Sequence, residues 1–241
     1  MAMRYGMRRQ DWASLATVTA GFLAIVGIFR GGLAWAGAWA VVAIGAGAAA
    51  RRWSLRQPGP MPHLIRWVLF LPRGPHSADR LKSILRPRRG ERVLEIGPGV
   101  GIHALPVGSS LAPDGLLEVL DVQKEMLDEL MERAARAGIE NIVATRGDGQ
   151  RLPYPDRSFD AAYLVGVLGE IPDRVAALRE LRRVLKPDGR LVVGETVIDP
   201  DFISLGRLRE CASDVGLLFE RKLGPGSCYF ALFRPVGYAA G

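Results

Sequence analysis

The chain has 241 residues, 49% of them hydrophobic, with 32 Lys and Arg, 25 Asp and Glu and a formal charge of +7. Two cysteines and three scattered histidines exclude a disulfide framework and offer no metal-ligand spacing, so no metal is expected. The basic excess does not point to nucleic acid, because it gathers beside apolar segments: residues 1–90 carry 14 basic side chains against 2 acidic, and residues 91–241 carry 18 against 23.

Trp12 to Phe29 and Leu33 to Ala50 are each 18 residues without a charge. As helices each would be about 27 Å long, close to the hydrocarbon core of a bilayer. Arg30-Gly31-Gly32 would connect them, so residues 1–53 read as a two-helix transmembrane hairpin, with helices at about 12–29 and 33–50. Ala36, Gly37, Ala40 and Gly45 permit close helix approach, and Trp12, Trp35 and Trp53 lie near segment ends. Arg4, Arg8 and Arg9 before the pair, and Arg51, Arg52 and Arg56 after it, place both flanks in the cytoplasm. The expected location is the cell membrane, multi-pass, with the remaining chain cytoplasmic. Three alternatives stay open: a cleaved signal peptide ending near Ala34-Trp35-Ala36, a soluble helical pair that packs in a dimer, and a single span with an interfacial second segment.

Residues 54–76 read as a linker or interfacial segment, with Gln57 to Pro62 rich in turn formers. Leu64 to Pro72 is too short to span. It suits the bilayer interface, a lid over the site, or a core helix.

Residues 77–241 read as a catalytic domain. Ser77 to Leu85 is helical in pattern, and Val93 to Ile96 is a buried strand that runs into glycines at 97, 99 and 101. A dinucleotide fingerprint would need its third glycine at 102, where Ile102 stands. Glu95 would repel a pyrophosphate and suits a cofactor with a cationic ammonium group, as S-adenosylmethionine has. The plainer reading is a turn whose glycines serve geometry alone. A helix over about Val100 to Leu111, a Pro113-Asp114-Gly115 turn and a strand over Leu116 to Leu120 lead to Asp121. Asp121 is placed to bind a ribose, or to cap the helical pattern from Glu125 to Ala137. Asp148, between Gly147 and Gly149, sits in a loop that reaches a ligand at a strand end, or is simply a solvated acid. Asp160 reads as a turn acid at the start of the next strand. Arg174 to Lys186 is an amphipathic helix whose charges form a solvated face, and Pro187-Asp188-Gly189 is a tight turn. Ile203 to Val215 reads as a helix ended by Gly216, followed by strands at 217–221 and 227–233. No nucleophile elbow or phosphate-binding loop occurs.

Taken in order, five segments carry a resemblance: Val93 to Gly101, Asp121 at its strand end, Ala144 to Tyr154, Ser158 to Leu168, and Leu185 to Val193. Over residues 84–197 the chain resembles class I S-adenosylmethionine-dependent methyltransferases, in the type 11 branch that includes quinone and small-molecule methyltransferases. The resemblance implies an α/β fold: a Rossmann-like, seven-stranded, mostly parallel sheet with an antiparallel C-terminal hairpin. It implies S-adenosylmethionine as cofactor, held by Glu95, Gly97, Gly99, Gly101, Asp121, Val122, Gly147, Asp148 and Gly149. It supplies no general base; Glu170, Tyr154 and Tyr163 are local candidates, and Glu170 equally suits a helix start. The expected function is a membrane-anchored methyltransferase with a lipophilic small-molecule acceptor, either a phospholipid amine or a quinone-type ring. A soluble metabolite as acceptor, or a non-catalytic membrane sensor or scaffold that binds the cofactor, are the alternatives. The sequence does not fix the acceptor atom or the oligomeric state.

Overall fold

The computed structural model describes residues 33–56, 58–61, 63 and 76–236, together with helical positions Trp12, Ala16, Thr19 and Ala20. The chain divides into two compact units, residues 1–62 and 63–241.

In the first unit, helix α1 (Leu33–Arg56) contains the second uncharged stretch. It does not stop at Ala50 but continues through Arg51 and Arg52, because no proline or glycine follows until Pro58. Trp35, Val41 and Ile44 are exposed along it. Among the described residues, no helix is long and apolar enough to cross a membrane. The expected first helix and its connection lie largely outside the described residues, as does Leu64 to Pro72.

The second unit is an α/β sandwich. Its elements are α2 (Ala78–Leu85), β1 (Arg92–Ile96), α3 (Ala104–Leu111), β2 (Leu116–Asp121), α4 (Lys124–Arg136), β3 (Ile142–Arg146), β4 (Phe159–Val165), α5 (Arg174–Val184), β5 (Leu185–Thr196), α6 (Leu205–Ser213), β6 (Leu217–Leu223) and β7 (Cys228–Pro235). The seven strands lie in the order β3-β2-β1-β4-β5-β7-β6. Strands β1 to β5 run parallel, and β7 enters antiparallel between β5 and β6. The inner strands β1, β2, β4, β5 and β7 are largely apolar on both faces because both faces are covered, whereas the edge strands β3 and β6 expose alternate or scattered positions. Val93, Leu117, Val119, Tyr163 and Val192 pack on one face against α2, α3 and α4. Leu94, Ile96, Leu120, Leu164 and Val193 pack on the other against α5 and α6.

Three expectations change in detail. The helix after the glycine turn starts at Ala104 rather than Val100, since the turn itself extends through His103. Pro187-Asp188-Gly189 is a bulge inside β5: Phe159 pairs with Leu185, and the next pairing joins Ala161 to Arg190. Asp160 anchors that bulge, accepting from the Arg92 N–H at 2.9 Å and pairing with Lys186. The charges of α5 are not all solvated. Arg183 donates to Glu180, Asp156 and the carbonyls of Leu152 and Tyr154, while Glu180 accepts from the Leu152 N–H. These bonds tie α5 to the loop before β4.

Chain order sets the site. From β1 the chain moves outward through β2 to β3, then returns to place β4 on the other side of β1. The crevice where the order reverses, beyond the carboxyl ends of β1 and β4, is where open α/β sheets bind ligands.

Candidate functional site

The turn after β1 occupies that crevice. Gly97, Gly99 and Gly101 have φ of +65°, +54° and +85°, which side chains rarely adopt. A Cβ at Gly97 would lie 2.6 Å from both methyls of Val167, and one at Gly101 would lie 2.6 Å from Leu105 Cδ1. Packing therefore requires these two glycines whatever the turn binds. The Gly97 N–H donates to the Leu120 carbonyl at 2.8 Å, fixing the turn to the end of β2.

Asp121 is 8% exposed and holds the same turn. Its Oδ1 accepts from the Gln123 N–H at 2.9 Å, and the carboxylate also accepts from the N–H groups of Gly99 and Val122. Burial pushes its carboxyl up to about 6, against these three hydrogen bonds. It is not the cap of α4: Gln123 stands at that position, without a side-chain capping bond.

Glu95 is 2% exposed and lies within the sheet face rather than on the open rim. The Tyr163 hydroxyl donates to its Oε2 at 2.7 Å. Burial pushes this carboxyl up to about 8; the Tyr163 bond opposes the rise and nearby Asp121 adds to it. The residue pictured from sequence as facing a cationic group is thus held inside, one strand from Asp121.

Past β3, the Gly147 N–H donates to the Asp121 carbonyl at 3.0 Å, and the Val122 carbonyl accepts from Arg146 Nε at 3.1 Å. Gly149 packs closely on apolar side chains, since a Cβ there would lie 3.3 Å from Ile171 Cδ1 and Ile96 Cγ2. Asp148 is exposed, and both of its oxygens accept from the Gln150 side-chain amide at 3.0 Å. The structure therefore brings Glu95, Gly97, Gly99, Gly101, Asp121, Val122, Gly147 and Gly149 to the carboxyl ends of β1 to β3, with Asp148 at the solvent edge.

The three candidate bases separate. Glu170 ends a short 3-10 turn, Leu168–Glu170, just past the exit of β4. Tyr163 is fully buried and committed to Glu95. Tyr154 packs edge-on against Phe159, with ring centroids 5.0 Å apart. Its hydroxyl lies beside Thr145 of β3 and Glu118 of β2, on the β2–β3 side of the sheet.

The sequence reading passed over Glu195. It stands near the end of β5, 1% exposed, and its Oε2 accepts from the Ile203 N–H at 3.1 Å. An acid closing the apolar run Leu191-Val192-Val193-Gly194 was the available signal, the same one that marked Glu95 and Asp121.

Residues 94–193 match the family described as methyltransferase domain. The 27-O-demethylrifamycin SV methyltransferase of Amycolatopsis mediterranei (strain S699) is 33% identical over 139 residues, which are 57% of this chain and 50% of that protein. The demethylmenaquinone methyltransferase of Listeria monocytogenes serotype 4a (strain HCC23) is 32% identical over 114 residues, 47% of this chain and 48% of its own length. The chain thus spans about half the length of the curated relatives it matches. The crystal structure of a SAM-dependent methyltransferase from Aquifex aeolicus superposes with a TM-score of 0.66 at 19% identity, covering 73% of this chain and 98% of that one, a likeness of fold.

Proposed function

From residues 94–193 as a methyltransferase domain of the S-adenosylmethionine-dependent kind, we propose that the chain transfers the cofactor's methyl group to a lipophilic acceptor at the membrane surface. The observation that carries this reading is Asp121. It is a carboxylate at the end of β2, tied to the backbone of a three-glycine turn at the point where strand order reverses.

The residues fit the cofactor. The turn at 97–101 offers backbone without side chains, Asp121 and Val122 lie beside it, and Gly149 with Ile96 and Ile171 provides an apolar surface. When bound, the cofactor supplies an electrophilic methyl on a sulfonium. The chain's part would be to hold that group in the crevice, align an acceptor and exclude water. Val167, whose methyls crowd Gly97, and buried Leu168 make that exit apolar.

Two lines support a lipophilic acceptor. One relative is named for demethylmenaquinone and another for a demethylrifamycin. The amino-terminal part adds the second line: the uncharged stretch from Leu33 to Ala50 is helical, exposes Trp35, Val41 and Ile44, and is followed by Arg51, Arg52 and Arg56. Paired with the uncharged stretch from Trp12 to Phe29, it suits an anchor in the cell membrane with the methyltransferase domain on the cytoplasmic side.

The test incubates the full chain with methyl-labelled cofactor and a total lipid extract, then with a soluble metabolite extract. Label in the lipid fraction is the expected result. Label only among soluble metabolites would select the other acceptor class. Label in neither, with S-adenosylhomocysteine still bound, would identify a non-catalytic binder.

A further inference from the structure

The cofactor residues lie on β1, β2 and β3, to one side of β4, and Glu195 lies on β5, to the other. The register fixes its height. Val165 pairs with Gly194, and the Gly166 N–H donates to the Gly194 carbonyl at 2.8 Å, so Glu195 is level with Gly166. Val167 meets Gly97 on the near side. A row from Gly97 across Val167 and Gly166 to Glu195 therefore spans three strands, about 10 Å at the usual strand spacing. Gly166, at φ +66°, adds no side chain of its own to that row, and the Asp199 carboxylate borders it: a Cβ at Gly166 would lie 3.0 Å from Asp199 Oδ2.

Glu195 has a second unusual property. Its Oε1 is buried and has no hydrogen-bond partner among the described residues. Buried polar atoms are nearly always paired, and an orphan is costly unless something else completes it. The rest of the group is firmly held: Oε2 takes the Ile203 N–H, and the Ile203 carbonyl takes the Tyr229 hydroxyl at 2.7 Å. Leu168, Ile171, Ile203 and Tyr229 belong to the same apolar core, with Phe202 packed against it.

We propose that Glu195 is the general base of the reaction, its Oε1 taking the proton from an acceptor hydroxyl of the phenol or hydroquinone class. This rests on the methyltransferase reading above. The acceptor O–H bond breaks and its proton bonds to Oε1. The electron pair left on the acceptor oxygen bonds to the methyl carbon as the methyl–sulfur bond breaks, and that pair stays on sulfur. A neutral aromatic hydroxyl can enter apolar surroundings without carrying a charge, which an ammonium cannot. The proton affinities also match. Burial pushes the Glu195 carboxyl up to about 8; the Ile203 N–H opposes this, Asp199 and Asp201 add to it, and Arg174 of α5 opposes it. A base in that range suits a phenolic proton of pKa about 10 far better than an ordinary carboxylate does.

The test uses the full chain, dihydroxynaphthalene as probe acceptor, and the variants Glu195→Gln and Glu195→Asp. Gln keeps an acceptor for the Ile203 N–H, so the loop should stay closed. In Glu195→Gln, kcat should fall about 100-fold or more, while KM for the probe and calorimetric affinity for S-adenosylhomocysteine should stay within about threefold of wild type. Wild-type kcat should rise with pH through a half-maximum near 8 toward a plateau above it, and Glu195→Gln should lack that limb. Glu195→Asp should recover part of the rate. Calorimetry across the same pH range separates any titration of Glu95 at the cofactor. A Glu195→Gln rate within about threefold of wild type would overturn the assignment, as would loss of S-adenosylhomocysteine binding in that variant. Wild-type methylation of phosphatidylethanolamine vesicles but not of dihydroxynaphthalene would overturn it and leave the broader reading standing. Transfer to neither probe would overturn it, and no label in the total lipid extract as well would overturn the broader reading too.

Discussion

Tyr163 and Glu95 are register partners on β4 and β1, and the Tyr163 hydroxyl donates to Glu95 Oε2 at 2.7 Å inside the sheet face. The bond joins the two strands that flank the crevice, just beneath the glycine turn. Tyr163→Phe would leave a buried carboxyl without its donor. Such a loss costs about 1–3 kcal/mol, and urea denaturation without cofactor should show a decrease of that size. A variant as stable as wild type would mean that the bond does not support the crevice.

The turn itself predicts loss of cofactor binding. Gly97→Ala forces a Cβ to 2.6 Å from Val167 at a φ of +65°, so the turn must move. Calorimetry should show S-adenosylhomocysteine binding abolished in Gly97→Ala, and equally in Gly99→Val. Asp121→Ala removes the acceptor for the Gly99, Val122 and Gln123 N–H groups and should weaken binding by about 1–3 kcal/mol. Saturable NADH binding without S-adenosylhomocysteine binding in wild type would refute the cofactor.

Stability without cofactor should fall as pH rises. Glu95 and Glu195 each move from an ordinary 4.5 to about 8 on folding, chiefly through burial. Between those values the folded state keeps the proton and the unfolded state has lost it. Fewer protons on the unfolded chain means stability declines with pH, complete at low pH and lost up to about 8. Each pKa unit corresponds to about 1.4 kcal/mol. Denaturation curves between about pH 5 and 8 should show the decline, and Glu195→Gln should flatten it. Equal slopes in the two proteins would place Glu195 in a less buried setting.

Membrane topology has a direct test. In a chain lacking Cys211 and Cys228, a cysteine at Gly31 should react with an impermeant thiol reagent on intact cells, and one at Gly6 should not. The reverse pattern rules out the proposed orientation, and release of the full chain by alkaline carbonate rules out insertion.

The proposed anchor and the chemistry should be separable. A fragment starting at Gln57 retains the whole second unit, residues 63–241, and should bind S-adenosylhomocysteine. Its turnover of a vesicle-borne acceptor should drop sharply, while turnover of a short-chain soluble analogue should hardly change, because only the first depends on effective concentration at the bilayer. Equal turnover of both by fragment and full chain would rule out the proposed anchor's role in substrate access.

Periodicity and glycine spacing by themselves determined most of the domain. The alternation of apolar strands with amphipathic helices, and the turn residues between them, are local properties, so β1, β2, α4, β4 and the closing hairpin were legible before any fold was known. Gly97, Gly99, Gly101 and Asp121 were legible for the same reason, since a strand end and the turn after it are contiguous in the chain. Only the tertiary structure decided which side chains meet. It turned Glu95 inward onto Tyr163, 68 residues away, and set Tyr154 edge-on against Phe159 with its hydroxyl beside Thr145 and Glu118. It also set Glu195 level with Gly166 through a strand register that skips four residues at the Pro187 bulge. Register and side-chain face depend on how distant strands pair, and a one-residue slip reverses every face. Burial follows from that pairing, so the shifted protons of Glu95 and Glu195 belong to the fold and not to the local sequence.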